Sequence, residues 1–78
     1  MNAPYILLDL LSGNVLTDFA SEAEAWWTLR EMAVDDGPEA IEHLSLVRMR
    51  DGQPTLIAME DEIVRRVAQG LHQEAIVN

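Results

Sequence analysis

Leu44-Ser45-Leu46-Val47-Arg48-Met49-Arg50-Asp51-Gly52-Gln53-Pro54-Thr55-Leu56-Ile57-Ala58 decides the fold class of this 78-residue chain. From Val47 to Arg50 apolar and charged residues alternate, the two-residue period of a strand with one face buried. Asp51-Gly52 then supplies two residue types that tolerate positive φ, and a β-branched and aliphatic run returns. The stretch predicts a β-hairpin turning at Asp51-Gly52. Pro54 has no N–H for a ladder, so it belongs at the start of its strand or facing the loop.

Upstream, Asp35-Asp36-Gly37-Pro38 is helix-stopping and helix-starting chemistry together. Proline suits the first turn of a helix, with Asp36 or Gly37 as the cap, so Pro38 to Leu44 reads as a short helix of one or two turns. Before it, Ser21-Glu22-Ala23-Glu24 is a capping box. The Ser21 hydroxyl can accept from the amide of residue 24 while Glu24 reaches back to the amide of residue 21. Good helix formers then continue to Ala33. Further back, Tyr5-Ile6-Leu7-Leu8-Asp9-Leu10 and Val15-Leu16-Thr17-Asp18-Phe19 flank the turn residues Ser12-Gly13-Asn14, a second hairpin signature. Either a two-residue turn or a three-residue loop with a bulge fits it. The first of these strands is apolar on both faces until Asp9, which places it inside the sheet or under a partner.

Downstream, Glu60-Asp61-Glu62 opens a last helix with acid at its positive end. Ile63, Val64, Val67, Ala68, Leu71 and Ala75 recur within an arc of about 140° at 3.6 residues per turn, while Arg65, Arg66, Gln69, His72 and Gln73 fall opposite. One face should pack on the sheet. Gly70 weakens this helix by about 1 kcal/mol relative to alanine and is a place where it could end, leaving 75–78 as a frayed tail. The whole chain, 1–78, is expected to be one α+β domain. It has two layers: about four antiparallel strands from two β-hairpins, with helices packed on one face, in the order ββα(α)ββα.

Charge and composition narrow the function. Fourteen carboxylates face five arginines, with no lysine, for a net charge of −9. Direct nucleic-acid binding and binding to an anionic membrane both need a positive field, and neither is expected here. Cysteine is absent, so disulfides, thiolate nucleophiles and Cys-ligated metals are excluded. The longest apolar runs, of which Tyr5 to Leu8 is one, are far below the roughly 18 residues of a spanning helix, and the N-terminus lacks leader features. The expectation is a cytoplasmic protein.

No constellation carries chemistry. His43 and His72 lack a carboxylate or second histidine at metal-site spacing and read as solvated surface residues. Ser12, Ser21 and Ser45 lack a nucleophile elbow, and the paired acids at Asp35-Asp36 and Glu60-Asp61-Glu62 are explained by capping and the helix dipole. Arg48, Arg50, Arg65 and Arg66 read as partners for the surplus acid. The expectation is no catalytic residue, no cofactor and no metal.

Trp26-Trp27 is the exception to this plainness. Ala25, Trp26, Leu29, Met32 and Ala33 form one helical stripe, and Ala23, Trp27 and Val34 lie beside it, interrupted by Arg30. Together they span roughly 200°, twice what a helix lying on a sheet needs. Three readings follow: the 38–44 segment covers Trp27, a second copy does, or a different protein does. Tryptophan is enriched where interfaces concentrate their energy, and domains this small often gain stability by oligomerising. Ala23, Trp26, Trp27, Arg30 and Val34 are therefore the expected interface. Trp26 is its buried support.

Through Tyr5, Asp9, Ser12-Gly13-Asn14, Phe19, Ser21, Glu24-Ala25, Gly37-Pro38-Glu39 and Leu46-Val47, the chain resembles short bacterial proteins of unassigned function that share this hairpin–helix–hairpin plan. The likeness covers roughly residues 5 to 65 and implies a fold, with no catalytic residue to carry over. The chain also loosely resembles small α+β antitoxins and inhibitors. The leading expectation is a small acidic, non-enzymatic protein–protein interaction module, homodimeric through the first-helix surface around Trp27. The alternative is an acidic inhibitor or antitoxin-like protein that occupies a basic surface on a toxin or nucleic-acid enzyme.

Overall fold

The structure, a computed structural model, describes residues 3–77, with the side chains of residues 3–70. Strands β1 (Tyr5–Asp9) and β2 (Val15–Phe19) lead into helix α1 (Glu22–Asp36). A 3-10 turn (Pro38–Ala40), strands β3 (Leu44–Arg50) and β4 (Gln53–Met59), and helix α2 (Asp61–Val77) follow. The four strands form one antiparallel sheet in the order β2-β1-β3-β4. The fold is the expected two-layer α+β arrangement, two hairpins with both helices on one face.

The second hairpin forms as the sequence dictates. Asp51 and Gly52 both have positive φ, 53° and 76°, which is the two-residue turn whose twist matches the flanking strands. Pro54 lies on edge strand β4 opposite Met49, near the strand start, where its missing N–H costs no central ladder bond. The first hairpin differs from expectation. Its connection runs over Leu10–Asn14, longer than a two- or three-residue turn, because the Asp9 carboxylate ends the strand. Asp9 accepts from the Leu11 amide at 3.1 Å and from the Ser12 hydroxyl at 2.9 Å. Gly13, at φ 76°, turns the chain and donates to the Asp9 carbonyl at 2.7 Å.

At the start of α1 the Ser21 hydroxyl accepts from the Glu24 amide at 3.2 Å, as predicted. The Glu24 carboxylate reaches one residue further back than a standard capping box and accepts from the Ala20 amide at 3.2 Å. The segment after Pro38 is shorter than expected. Only Pro38–Ala40 is helical, because Leu44 is already committed to β3, pairing with Asp9, and Ile41 must drop into the core. α2 continues past Gly70 to Val77, so that glycine does not end it; Asn78, the end of the expected tail, lies outside the described residues.

The core sits between sheet and helices. Leu7, Phe19, Leu44, Leu46 and Ala58 from the sheet meet Ala25 and Leu29 of α1, Ile41, and Ile63 and Val67 of α2. Val64 packs at its margin, whereas Ala68, expected on the same stripe, is exposed, and the Leu71 and Ala75 side chains lie outside the described residues. β1 and β3 pair in the centre, Leu7 opposite Leu46, and each hairpin carries a register shift there, after Leu7 and after Leu46. The two ββα halves thus match in geometry without matching in sequence. Among the described residues no helix is long and apolar enough to cross a membrane.

Candidate functional site

α1 presents two faces because its apolar residues exceed what one sheet can cover. Ala25 and Leu29 are fully buried, and Trp26, Met32 and Ala33 pack against the core. Trp27, about 100° round the helix from Trp26, cannot follow it inward and is 55% exposed; Val34 is 58% exposed. The segment after Pro38 does not cover Trp27. Its Ala40 and Ile41 turn toward the core instead.

Each indole carries a guanidinium. Arg30, one turn on from Trp27 in the same helix, stands over that ring at 4.8 Å, and Arg66 of α2 stands over Trp26 at 5.4 Å. Arg66 is also held by Glu62 one turn back, at 2.6 Å. The indole N–H of Trp26 donates to Glu22 at 2.9 Å, which satisfies its one polar group where it is half-buried. Stacked cations of this kind contribute about 0.5–1 kcal/mol each at exposed positions, and they fix ring orientation.

Between α1 and α2 these residues border an open cleft of about 320 Å³. Ala23, Trp26, Trp27 and Arg30 form one wall, and Arg66, Val67 and Gly70 the other. Four of the five residues expected to act together therefore do line one site. Val34 does not; it lies seven residues beyond Trp27, about 10 Å along the axis. Arg66 and Gly70 were not expected here, because the sequence places α2 over the sheet without fixing which turns of the two helices meet.

The cleft offers apolar and aromatic surface with positive charge above it, and among the described residues its lining includes no carboxylate, histidine or hydroxyl. His43 lies 3.6 Å from Glu42 with both side chains exposed, and His72 lies outside the described side chains. Among the described residues no three histidines or carboxylates gather as metal ligands would. Arg48 stands 5.7 Å over the Tyr5 ring, so Arg30, Arg48 and Arg66 each lie over an aromatic ring, and Arg66 also meets a carboxylate.

A second surface was missed at the sequence level. The face of the sheet opposite the helices carries Ile6, Leu8, Val47 and Met49 from the two central strands, and Val15, Leu56 and Met59 from the edges. Its signal was present in β1, apolar on both faces, but only the strand order gathers these residues on one side. No family model, curated protein or solved structure matches the chain.

Proposed function

We propose that this protein is a small acidic interaction module that works by binding and self-associates. The observation that carries the reading is the amount of apolar surface left outside the single core. Trp27 and Val34 on α1, and Val15, Leu56 and Met59 on the sheet, are large and exposed. Soluble domains rarely leave large contiguous apolar patches uncovered unless something binds there. A chain of 78 residues also buries only about 60% of the surface it exposes when unfolded, so association adds stability that its own core cannot. The Trp27 cleft supplies an aromatic anchor of the kind that dominates interface energetics, with Trp26 behind it.

Solution molar mass by light scattering over a dilution series tests this. A species at twice the 8.7 kDa of one chain is the expected result. A monomer at every concentration removes self-association.

A second reading has its own observation. Glu42, Glu60 and Asp61, with His43, border a separate open cleft where the chain enters β3 and α2. On a chain of net charge −9 this is a socket for a basic side chain, as an inhibitor of a basic enzyme would use. Such binding weakens steeply as salt rises, whereas burial of apolar surface does not.

A further inference from the structure

We infer that the open face of the sheet, opposite the helices, is the seam on which a second copy of this chain docks, sheet against sheet. This rests on the self-association proposed above and names the surface that performs it.

The register lays the face out in rows. Val15, Leu8, Ser45 and Met59 lie across one row from edge to edge, and Asp18, Ile6, Val47 and Leu56 across the next; Met49 and Pro54 follow. At its centre Val47 is only 8% exposed although it is not part of the core between sheet and helices. It pairs with Ile6 on one side and Leu56 on the other. Around it Val15 is 59%, Leu56 53% and Met59 37% exposed, and Leu16, the extra residue where β2 shifts register, is 49% exposed. The result is half of a β-sandwich core: a packed middle and an unfinished rim, with side chains ready to interdigitate with a facing sheet about 10 Å away.

Charge selects the occupant. The chain carries 14 carboxylates, yet of the ten residues in these rows only Asp18 is charged, and it sits on an edge strand. A basic partner or a nucleic acid would find nothing to pair with here. Copies of one chain with net charge −9 repel wherever their other surfaces approach, and this is the face on which they meet without opposing carboxylates across the centre. Homodimer interfaces that are permanent have this character, resembling a core cut in half.

Size fits as well. Four strands about 4.8 Å apart and five to seven residues long, at about 3.3 Å each, make a face of roughly 400 Å² in plan. Two such faces withdraw about 800 Å² of plan area. That plan area, before side-chain relief is added, is of the order of the ~1,000 Å² at which specific interfaces begin. The Trp27 surface is one helix wide, so two copies meeting there would bury a smaller area.

The test combines light scattering with two surface variants and the natural tryptophans. In wild-type protein a dimer is expected, and it should tighten between low salt and about 0.5 M salt as repulsion between the copies is screened. Leu56→Lys places a charge on the seam while reducing the net negative charge, so added repulsion cannot explain a loss. It is expected to give a monomer, as is Val15→Lys on the opposite edge, while Trp27→Lys stays dimeric; circular dichroism checks that each variant folds. Both tryptophans lie in the helix layer, so wild-type emission should not change on dilution through dissociation, a readout that needs no variant. A wild-type monomer throughout would overturn both the self-association and its seam. A dimer that survives Leu56→Lys and Val15→Lys, that is lost in Trp27→Lys, or whose dissociation shifts tryptophan emission would keep the self-association and overturn this seam.

Discussion

The same substitution, glycine to alanine, should have opposite effects at different points of this chain, and the backbone gives the sizes. Gly37 closes α1 at φ 89° and ψ 166°, a conformation that essentially only glycine adopts, and alanine held there costs about 1–3 kcal/mol. Relaxation is blocked because the Gly37 amide donates to the Ala33 carbonyl at 2.9 Å and its own carbonyl accepts from the Ala40 amide at 3.1 Å; losing either bond costs about 1 kcal/mol more. An added Cβ would lie 2.5 Å from a Glu39 carboxylate oxygen, but that is the flexible end of an exposed side chain and can swing away. Alanine also narrows the unfolded ensemble, which returns about 0.4–1 kcal/mol. Gly37→Ala should therefore destabilise by about 2 kcal/mol. Gly52, at φ 76° with open space around a Cβ, should cost about 1 kcal/mol, the left-handed penalty less the same return. Gly70 is inside α2, with nothing within 4 Å of a Cβ, so Gly70→Ala should stabilise by about 0.5–1 kcal/mol. Urea denaturation at one fixed protein concentration measures all three, since the self-association proposed above would make apparent stability concentration-dependent. If Gly37→Ala unfolds no more easily than Gly52→Ala, or Gly70→Ala is destabilising, the backbone argument fails.

Other substitutions test the core and the cleft. Leu29→Ala empties a fully buried position between α1 and the sheet and should cost about 2–5 kcal/mol in the same assay; under 1 kcal/mol would mean that α1 does not pack as described. Trp26→Phe removes the half-buried donor to Glu22 and should cost about 1 kcal/mol, while Trp27→Phe keeps an aromatic surface under Arg30 and should stay within about 0.5 kcal/mol of wild type. Equal costs would show that the two indoles are not divided between support and surface. Ser21→Ala should destabilise by about 1 kcal/mol through loss of the bond from the Glu24 amide, read as an earlier urea midpoint; an unchanged midpoint would deny that cap any weight.

The elements were legible where a local rule has a single physical outcome. Asp51-Gly52 requires positive φ at two successive positions, and few short connections other than a tight hairpin provide that. Ser21 caps α1 because its hydroxyl is within reach of one orphan amide whatever lies elsewhere. The readings that failed depend on competition between neighbours. Pro38 can open a helix, but the chain has only three residues between Ala40 and the strand that starts at Leu44, and burying Ile41 takes precedence over extending the turn. Asp9 looked like the end of a strand apolar on both faces and proved to organise five residues of loop through its carboxylate.

The candidate surfaces divide along the same line. Helical spacing alone puts Trp27 off the core face, because two adjacent side chains on a helix diverge by about 100° whatever the fold. The sheet face has no such local signature. Ile6, Leu8, Val47, Met49 and Leu56 lie in three strands, and a strand apolar on both faces means equally well a sheet covered on both sides or a sheet covered on one side and closed by another molecule. Only the order β2-β1-β3-β4, with both helices on one side, separates the cases, and it is set by which strands pair between Tyr5 and Met59. The helices that would have covered the other face are spent on the first: both follow their hairpins directly, and the matching geometry of the two ββα halves sends them the same way. Among the described residues no third helix covers Val15, Leu56 and Met59, and on the seam proposed above a second copy would bring them a face of the same size and the same lack of charge.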